Sequence, residues 1–169
     1  MGNIFHGSGG HDLDLTNGGT EVFVEVLMLA VSELAREPWD FRFAALLTLQ
    51  DQHVMGRGVV GFGLAELDWG ATRQARAAAK GFVLRVLDLS LTRHRWEELG
   101  YEPARVEEYL RTYRSMVEEF DPEGAADGAG PPSGVLPGLH EAAMASCVRH
   151  RVLAGLPFWA ACVFCTAGR

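Results

Sequence analysis

Apolar residues recur at steps of three and four along four segments of the chain, which is the spacing of one face of an α-helix. The pattern is clearest in residues 103–120, where charged residues fill the positions between the apolar ones. Residues 20–36 are apolar around most of their predicted helix, which places that helix at the centre of the fold. Its polar residues fall along one side: Glu21, Glu25, Ser32 and Arg36. The four predicted helices span residues 20–36, 40–53, 71–99 and 103–120.

Residues that favour helix ends set these boundaries. Thr20 and Asp40 are the predicted N-caps, because their side-chain oxygens can accept hydrogen bonds from the first free N–H groups of a helix. Pro38 stops the first helix, and Pro103 suits the opening turn of the last one. Gly100 is predicted to close the third helix in the left-handed conformation.

Glycine and proline separate the helical segments from the rest of the chain. Residues 1–19 are glycine-rich, and we expect little regular structure there beyond a short strand at 13–15. Four glycines in 55–63 favour an ordered loop over a helix, since each interior glycine costs about 1 kcal/mol relative to alanine. A segment rich in glycine, alanine and proline, 121–138, is typical of a linker. A short helix is predicted at 139–151.

These elements predict a mainly α protein with a single compact domain of four to five helices and a C-terminal extension stapled by zinc. The predicted organisation is a helical body with a glycine-rich N-terminal loop (1–120), a linker (121–138) and the zinc-binding extension (139–169). At 169 residues the chain is long enough to bury one substantial core.

Composition narrows the class of protein. Apolar residues make up 48% of the chain and charged residues 22%, which excludes global disorder. A net charge of −7 argues against binding to nucleic acid or to an anionic membrane surface. No apolar run reaches the length of a transmembrane helix and the N-terminus lacks a basic signal region, so we expect a cytoplasmic protein. Fourteen arginines against one lysine, Lys80, suggest a bacterial gene of high GC content.

The strongest chemical motif lies near the C-terminus. Cys147 pairs with His150, and Cys162 with Cys165, each pair with a two-residue gap that lets both side chains turn toward one point. Zn²⁺ takes four such soft or borderline donors in a tetrahedron, so we predict one closed, structural zinc site. The spacing resembles that of zinc-ribbon and treble-clef fingers over residues 147–165, which implies a structural role for the ion.

Two other interpretations of these cysteines stay open. Free cysteine is one of the most frequently buried residue types, so the three thiols could pack among the neighbouring aromatic residues. A redox-active Cys162-x2-Cys165 pair is the other interpretation, although the βαβ context of such motifs is missing.

Two further motifs are weaker. His6, His11, Asp12 and Asp14 could converge as a metal or acid/base cluster, but loops also collect such residues for solubility and turn formation. The segment Gly56–Gly61 matches the G-x-G-x-x-G pattern of nucleotide-binding loops without the strand and helix that pattern requires. An ordered loop is the better interpretation, with its Arg57 a candidate for contact with a partner.

Charge is distributed unevenly along the chain. Residues 70–100 hold six basic and three acidic side chains, whereas 101–127 hold three basic and eight acidic ones. Two neighbouring antiparallel helices that attract each other would explain this asymmetry. The alternative is an acidic surface for a basic partner protein. Its candidate residues are Glu107, Glu108, Glu118 and Glu119.

The sequence therefore favours a non-enzymatic, zinc-binding protein that acts by protein–protein interaction, of the immunity or inhibitor type directed against a basic bacterial toxin. A small metal-dependent enzyme using the N-terminal His/Asp cluster is one alternative. A zinc-containing regulator that binds nucleic acid through the basic helix is the other.

Overall fold

The computed structural model describes residues 3–50 and 61–126. This part of the chain is mainly helical, as predicted, with five α-helices and one two-stranded sheet. Two short 3-10 helices, Leu64–Glu66 and Trp96–Leu99, lie between the longer elements. The elements are β1 (Asn3–His6), β2 (Asp12–Leu15), α1 (Asn17–Leu34), α2 (Pro38–Leu49), α3 (Arg73–Leu91), α4 (Val106–Glu119) and α5 (Pro122–Ala126).

The N-terminal segment forms a β-hairpin, where the sequence predicted only a short strand at 13–15. β1 and β2 pair antiparallel, with Phe5 opposite Leu13. Phe5, Leu13 and Leu15 are buried and alternate with exposed residues, which is the period-two pattern of a half-buried sheet. The glycines between the strands belong to the turn, so the hairpin is a folded part of the core.

α1 begins at Asn17, and the predicted N-cap Thr20 is wrong. Thr16 is the N-cap, and its hydroxyl accepts a hydrogen bond from the N–H of Gly19 at 3.1 Å. Thr20 is buried inside the first turn, where its Oγ1 donates to the carbonyl of Thr16 and accepts from Nδ2 of Asn3 at 2.8 Å. The side chains of Asn3 and Thr20 thus fasten β1 to the start of α1.

Contrary to the prediction, Asp40 is not the N-cap that precedes α2. It lies in the first turn of the helix, and its side chain caps the backbone before it. The helix begins at Pro38, and the Asp40 carboxylate accepts hydrogen bonds from the backbone N–H groups of Arg36 and Glu37 at 2.9 and 3.0 Å. α2 ends at Leu49, before the predicted end at residue 53.

α3 is shorter than predicted. It ends at Leu91 instead of Leu99, and the chain turns through Arg93 and Arg95, both in the left-handed conformation, before the 3-10 helix. The left-handed conformation is uncommon for arginine, which is why the sequence gives no sign of this turn. Gly100 is left-handed as predicted, with φ of +76°, but it closes the 3-10 helix Trp96–Leu99 and not α3.

α4 begins at Val106, three residues after the predicted start at Pro103, and its apolar stripe is confirmed. Tyr109 is half-buried, and the other residues of the stripe are buried: Val106, Leu110, Tyr113, Val117 and Phe120. The chain then continues into α5, so the first residues of the predicted linker are helical. The rest of that linker and the segment 139–169 lie outside the described residues.

α1 is the central helix, as its wide apolar surface predicts. Phe23, Val26 and Met28 are fully buried, and α1 packs against α2, α3 and α4. The predicted polar side of α1 is wrong at Glu25, which is only 1% exposed and accepts a hydrogen bond from the hydroxyl of Tyr101.

Two groups of aromatic rings fill the space around α1. The group below the hairpin joins β1, α1 and α4 through edge-on contacts with ring centroids 5.2–5.8 Å apart, and it consists of Phe5, Phe23, Phe62 and Tyr113. The second group joins α2, α3 and the end of α4, and it consists of Trp39, Phe43, Trp69, Phe82 and Phe120. The hairpin therefore lies over the α1 and α4 side of the core.

Candidate functional site: charged surfaces of α4 and the hairpin

The charged residues of α4 fall in two rows, because residues four and three positions apart share one side of a helix. We call the row that contacts α3 the α3-side row. Its members are Glu107, Arg111, Arg114 and Glu118. We call the other the hairpin-side row. Its members are Glu108, Thr112, Ser115 and Glu119. Each row thus holds two of the four glutamates predicted to bind a partner.

The carboxylates of the α3-side row are held by arginines. Glu107 binds Arg93 at 2.7 Å and Arg111 at 2.9 Å, and the hydrogen bond from Arg93 is the main reason that its pKa lies below the ordinary value. Arg114 bridges Asp88 of α3 at 2.6 Å and Glu118 at 2.8 Å. The hydrogen bond to Asp88 is the main cause that raises the pKa of Arg114. This row is a charge-compensated contact between two helices.

The chain's only lysine strengthens the same contact. Nζ of Lys80 on α3 donates to the carbonyl oxygens of Glu118 and Phe120, at 2.8 and 2.7 Å. These carbonyls lie at the C-terminal end of α4, where the helix dipole favours a cation. The attraction between neighbouring helices, which the sequence offered as one reason for the uneven charge, is therefore present in the structure.

The hairpin-side row pairs less strongly, with one arginine contact of 3.3 Å and one histidine contact, although Glu118 of the α3-side row is equally exposed, at 62%. Glu108 lies 3.3 Å from Arg105 in a pair whose two side chains are both more than 60% exposed. Glu119 lies 2.9 Å from Nδ1 of His11 at the turn of the hairpin, and its side chain is 52% exposed. Glu119 thus contacts a histidine that stands 108 positions away in the sequence.

The hairpin continues this surface with a polar outer face. His6 stands opposite Asp12, with Nδ1 and Oδ2 3.2 Å apart, and Ile4 stands opposite Asp14. All four residues are exposed. Ile4, at 37%, is the only large apolar side chain that is exposed within residues 3–50 and 61–126. This face is acidic, with one apolar residue beside its carboxylates.

The residues of the predicted N-terminal metal or acid/base cluster do not converge on one point, and its two histidines form separate pairs. His6 contacts Asp12, whereas His11 contacts Glu119 of α4. In the part of the chain that the structure describes, no three or more histidine, cysteine, aspartate or glutamate side chains are grouped so that they could hold a metal ion.

Several predicted site residues cannot be placed. Cys147, His150, Cys162 and Cys165 lie outside the described residues, as does Arg57.

Within the ranges that the structure does describe, no helix has the length and apolarity needed to cross a membrane.

The contact between the hairpin and Glu119 was not predicted from the sequence. The alternation of polar and apolar residues in 12–15, after a glycine-rich turn that follows the apolar pair Ile4 and Phe5, is the signal that would have predicted the hairpin. Nothing in the sequence indicates that its turn reaches the end of α4.

No family model, no curated protein and no solved structure matches this chain.

Proposed function

We propose that this chain is a non-enzymatic cytoplasmic protein that binds a basic partner protein, in the manner of an immunity or inhibitor protein against a basic toxin. The observation that supports this function best is the contact between His11 and Glu119, which joins the turn of the acidic hairpin to the hairpin-side row. The acidic surface is then formed by Asp12, Asp14, Glu108 and Glu119.

The net charge of −7 favours the same function. Exposed carboxylates attract a basic partner over about 8 Å at physiological ionic strength, and this attraction raises the rate of association. Glu107 and Glu118 are assigned a different role, because each is bound by an arginine. Glu107 binds Arg93, just after the end of α3, and Glu118 binds Arg114 of its own helix, which also bridges to Asp88 of α3. A partner would have to compete with those internal ion pairs.

The two rows provide matched variants for a capture experiment. Glu108→Gln with Glu119→Gln removes two charges from the acidic surface, while Glu107→Gln with Glu118→Gln removes two charges from the same helix on the α3 side. We expect the wild type to capture a basic protein from a lysate of the source cells at low salt, and the hairpin-side variant to lose it.

The α3-side variant is the control and should retain the captured protein once its stability has been checked. If both variants and the wild type recover the same proteins equally at low and high salt, the acidic surface has no role in binding. Identification of the captured protein by mass spectrometry gives its charge directly.

The proposal also includes one structural zinc ion bound by Cys147, His150, Cys162 and Cys165. Support comes from the two pairs with two-residue gaps, which together contain every cysteine of the chain. We expect one equivalent of zinc in protein purified without chelator, and we expect Cys162→Ser to release it. A metal content near zero, with three freely titrating thiols, would show that the cysteines are not ligands.

A further inference from the structure

The hydrogen-bond pattern of the hairpin determines which peptide groups point away from it. The N–H of Gly7 donates to the carbonyl of His11 at 2.9 Å, so this is a hydrogen-bonded pair. Such pairs alternate along an antiparallel ladder with pairs whose N–H and C=O groups point outward. In this register the outward pairs are His6 with Asp12 and Ile4 with Asp14.

The outer edge of β1 is closed by the chain that precedes the first 3-10 helix. The N–H of His6 donates to the carbonyl of Phe62 at 3.1 Å. Gly61 packs so closely on Ile4 that a Cβ there would lie 2.0 Å from the Ile4 carbonyl oxygen, and its φ is +121°. Only glycine fits at this position, and no further strand can reach β1.

The outer edge of β2 is different. Among the described residues, none forms a hydrogen bond with the outward N–H and C=O groups of Asp12 and Asp14. Both residues are exposed. An edge strand with free peptide groups is a template for pairing with another extended chain.

We propose that β2 accepts an additional strand from a basic partner, so that an extended basic segment extends the hairpin into a three-stranded sheet. This inference rests on the proposed function. It specifies that the partner binds at the outer edge of β2 and that the bound segment is an extended strand. The side chains of Asp12 and Asp14 point to the same face at a period of two. Arginine or lysine at alternate positions of the added strand would stand beside them.

The negative charge of β2 favours a basic strand over a second copy of the same chain. Pairing two β2 edges would bring the aspartates of both copies together on adjacent strands, and like charges on neighbouring strands destabilise a sheet. The same carboxylates stabilise a strand with cationic side chains. Ile4, next to them, adds an apolar contact for the aliphatic part of a long basic side chain.

Position 14 offers a specific test of the backbone contact. Asp14→Pro removes the outward N–H, and the hairpin tolerates it because that N–H forms no bond with β1. Asp14→Asn is the matched control, since it removes the same charge and keeps the N–H. The probe is a peptide of about six residues with alternating arginine and valine and blocked ends. Binding is followed by amide exchange and chemical shifts in isotope-labelled full-length protein.

The wild type should bind the peptide with slowed exchange at the amides of Asp12 and Asp14. Asp14→Asn should bind more weakly and still protect Asp12. Asp14→Pro, with its hairpin shifts intact, should bind about tenfold more weakly than Asp14→Asn, because it loses one intermolecular hydrogen bond as well as the charge.

The proposal is wrong if the two variants bind equally, if the amides of β2 stay unprotected in the complex, or if the peptide does not bind. A peptide of alternating glutamate and valine that bound as well would also overturn it. The proposed function fails separately, when the cellular capture experiment recovers no basic protein. If the cellular partner binds the hairpin-side row and ignores Asp14→Pro, the function stands and strand addition does not.

Discussion

The hydroxyl of Tyr113 is buried in the aromatic group below the hairpin, and none of residues 3–50 and 61–126 forms a hydrogen bond with it. The side chain is 1% exposed, and burial raises the pKa of its phenol far above the ordinary value. Phe5 and Phe23 meet the ring edge-on, at centroid distances of 5.8 and 5.6 Å. The ring contributes to packing, while the hydroxyl has lost its hydration without gaining a bond from the described residues.

We therefore predict that Tyr113→Phe raises the free energy of unfolding by about 1 kcal/mol, because it removes a desolvated polar group and keeps the ring. Urea unfolding with an unchanged slope measures the effect. Tyr109→Phe, at the half-buried position one turn earlier in α4, is the control and should change stability little. A loss of stability in Tyr113→Phe would mean that the hydroxyl has a partner.

Single residues also show what the sequence could not indicate. Glu25 was predicted on the polar side of α1, yet it is buried because Tyr101, 76 positions later, donates a hydrogen bond to it. Thr20 and Thr16 both have a side chain that suits an N-cap. Thr16 is the N-cap, because the hydroxyl of Thr20 instead accepts a hydrogen bond from Asn3 of β1. Contacts distant in sequence decide both cases, and no local pattern encodes them.

At the scale of elements, apolar periodicity predicted the helices well and their ends poorly. The stripe of α4 was predicted because burial repeats with the helical period. The end of α3 was missed because Arg93 and Arg95 adopt a conformation that is unusual for arginine. α5 was missed because a glycine and a proline in its short sequence suggested a linker.

The contact between α3 and α5 gives a prediction for acid pH. Arg76 binds Glu123 through two hydrogen bonds of 2.9 Å, which are the main cause of a Glu123 pKa below the ordinary value of 4.5. A carboxyl with a lowered pKa in the folded state stabilises the protein above pH 4.5, and this stabilisation is lost as the pH falls through the folded-state value.

A double-mutant cycle with Arg76→Met and Glu123→Gln isolates this interaction. We expect the coupling free energy to be constant near neutral pH and to decrease as the pH falls below about 4.5, the pKa of a free glutamate. Thermal or urea unfolding over a pH series measures it. A coupling that does not change across this range would show that the pair is not ionic in solution.

For the whole molecule, the structure divides one acidic segment into two kinds of surface. The sequence showed an excess of acidic residues over 101–127 without indicating which of them are compensated. Folding places Glu107 against Arg93 and Glu118 against Arg114, which bridges to α3, whereas Glu119 contacts His11 at the hairpin. The sequence therefore predicted the charge of the candidate surface, and only the packing of α4 defines its position.

The association rate of the captured basic partner tests the central claim most directly. It is measured against ionic strength for the wild type, for Glu108→Gln with Glu119→Gln, and for Glu107→Gln with Glu118→Gln. Because long-range attraction acts on the encounter, the hairpin-side variant should associate more slowly and with a flatter salt dependence, while the α3-side variant follows the wild type. Equal rates and equal salt slopes for all three proteins would contradict an acidic docking surface on this side of α4.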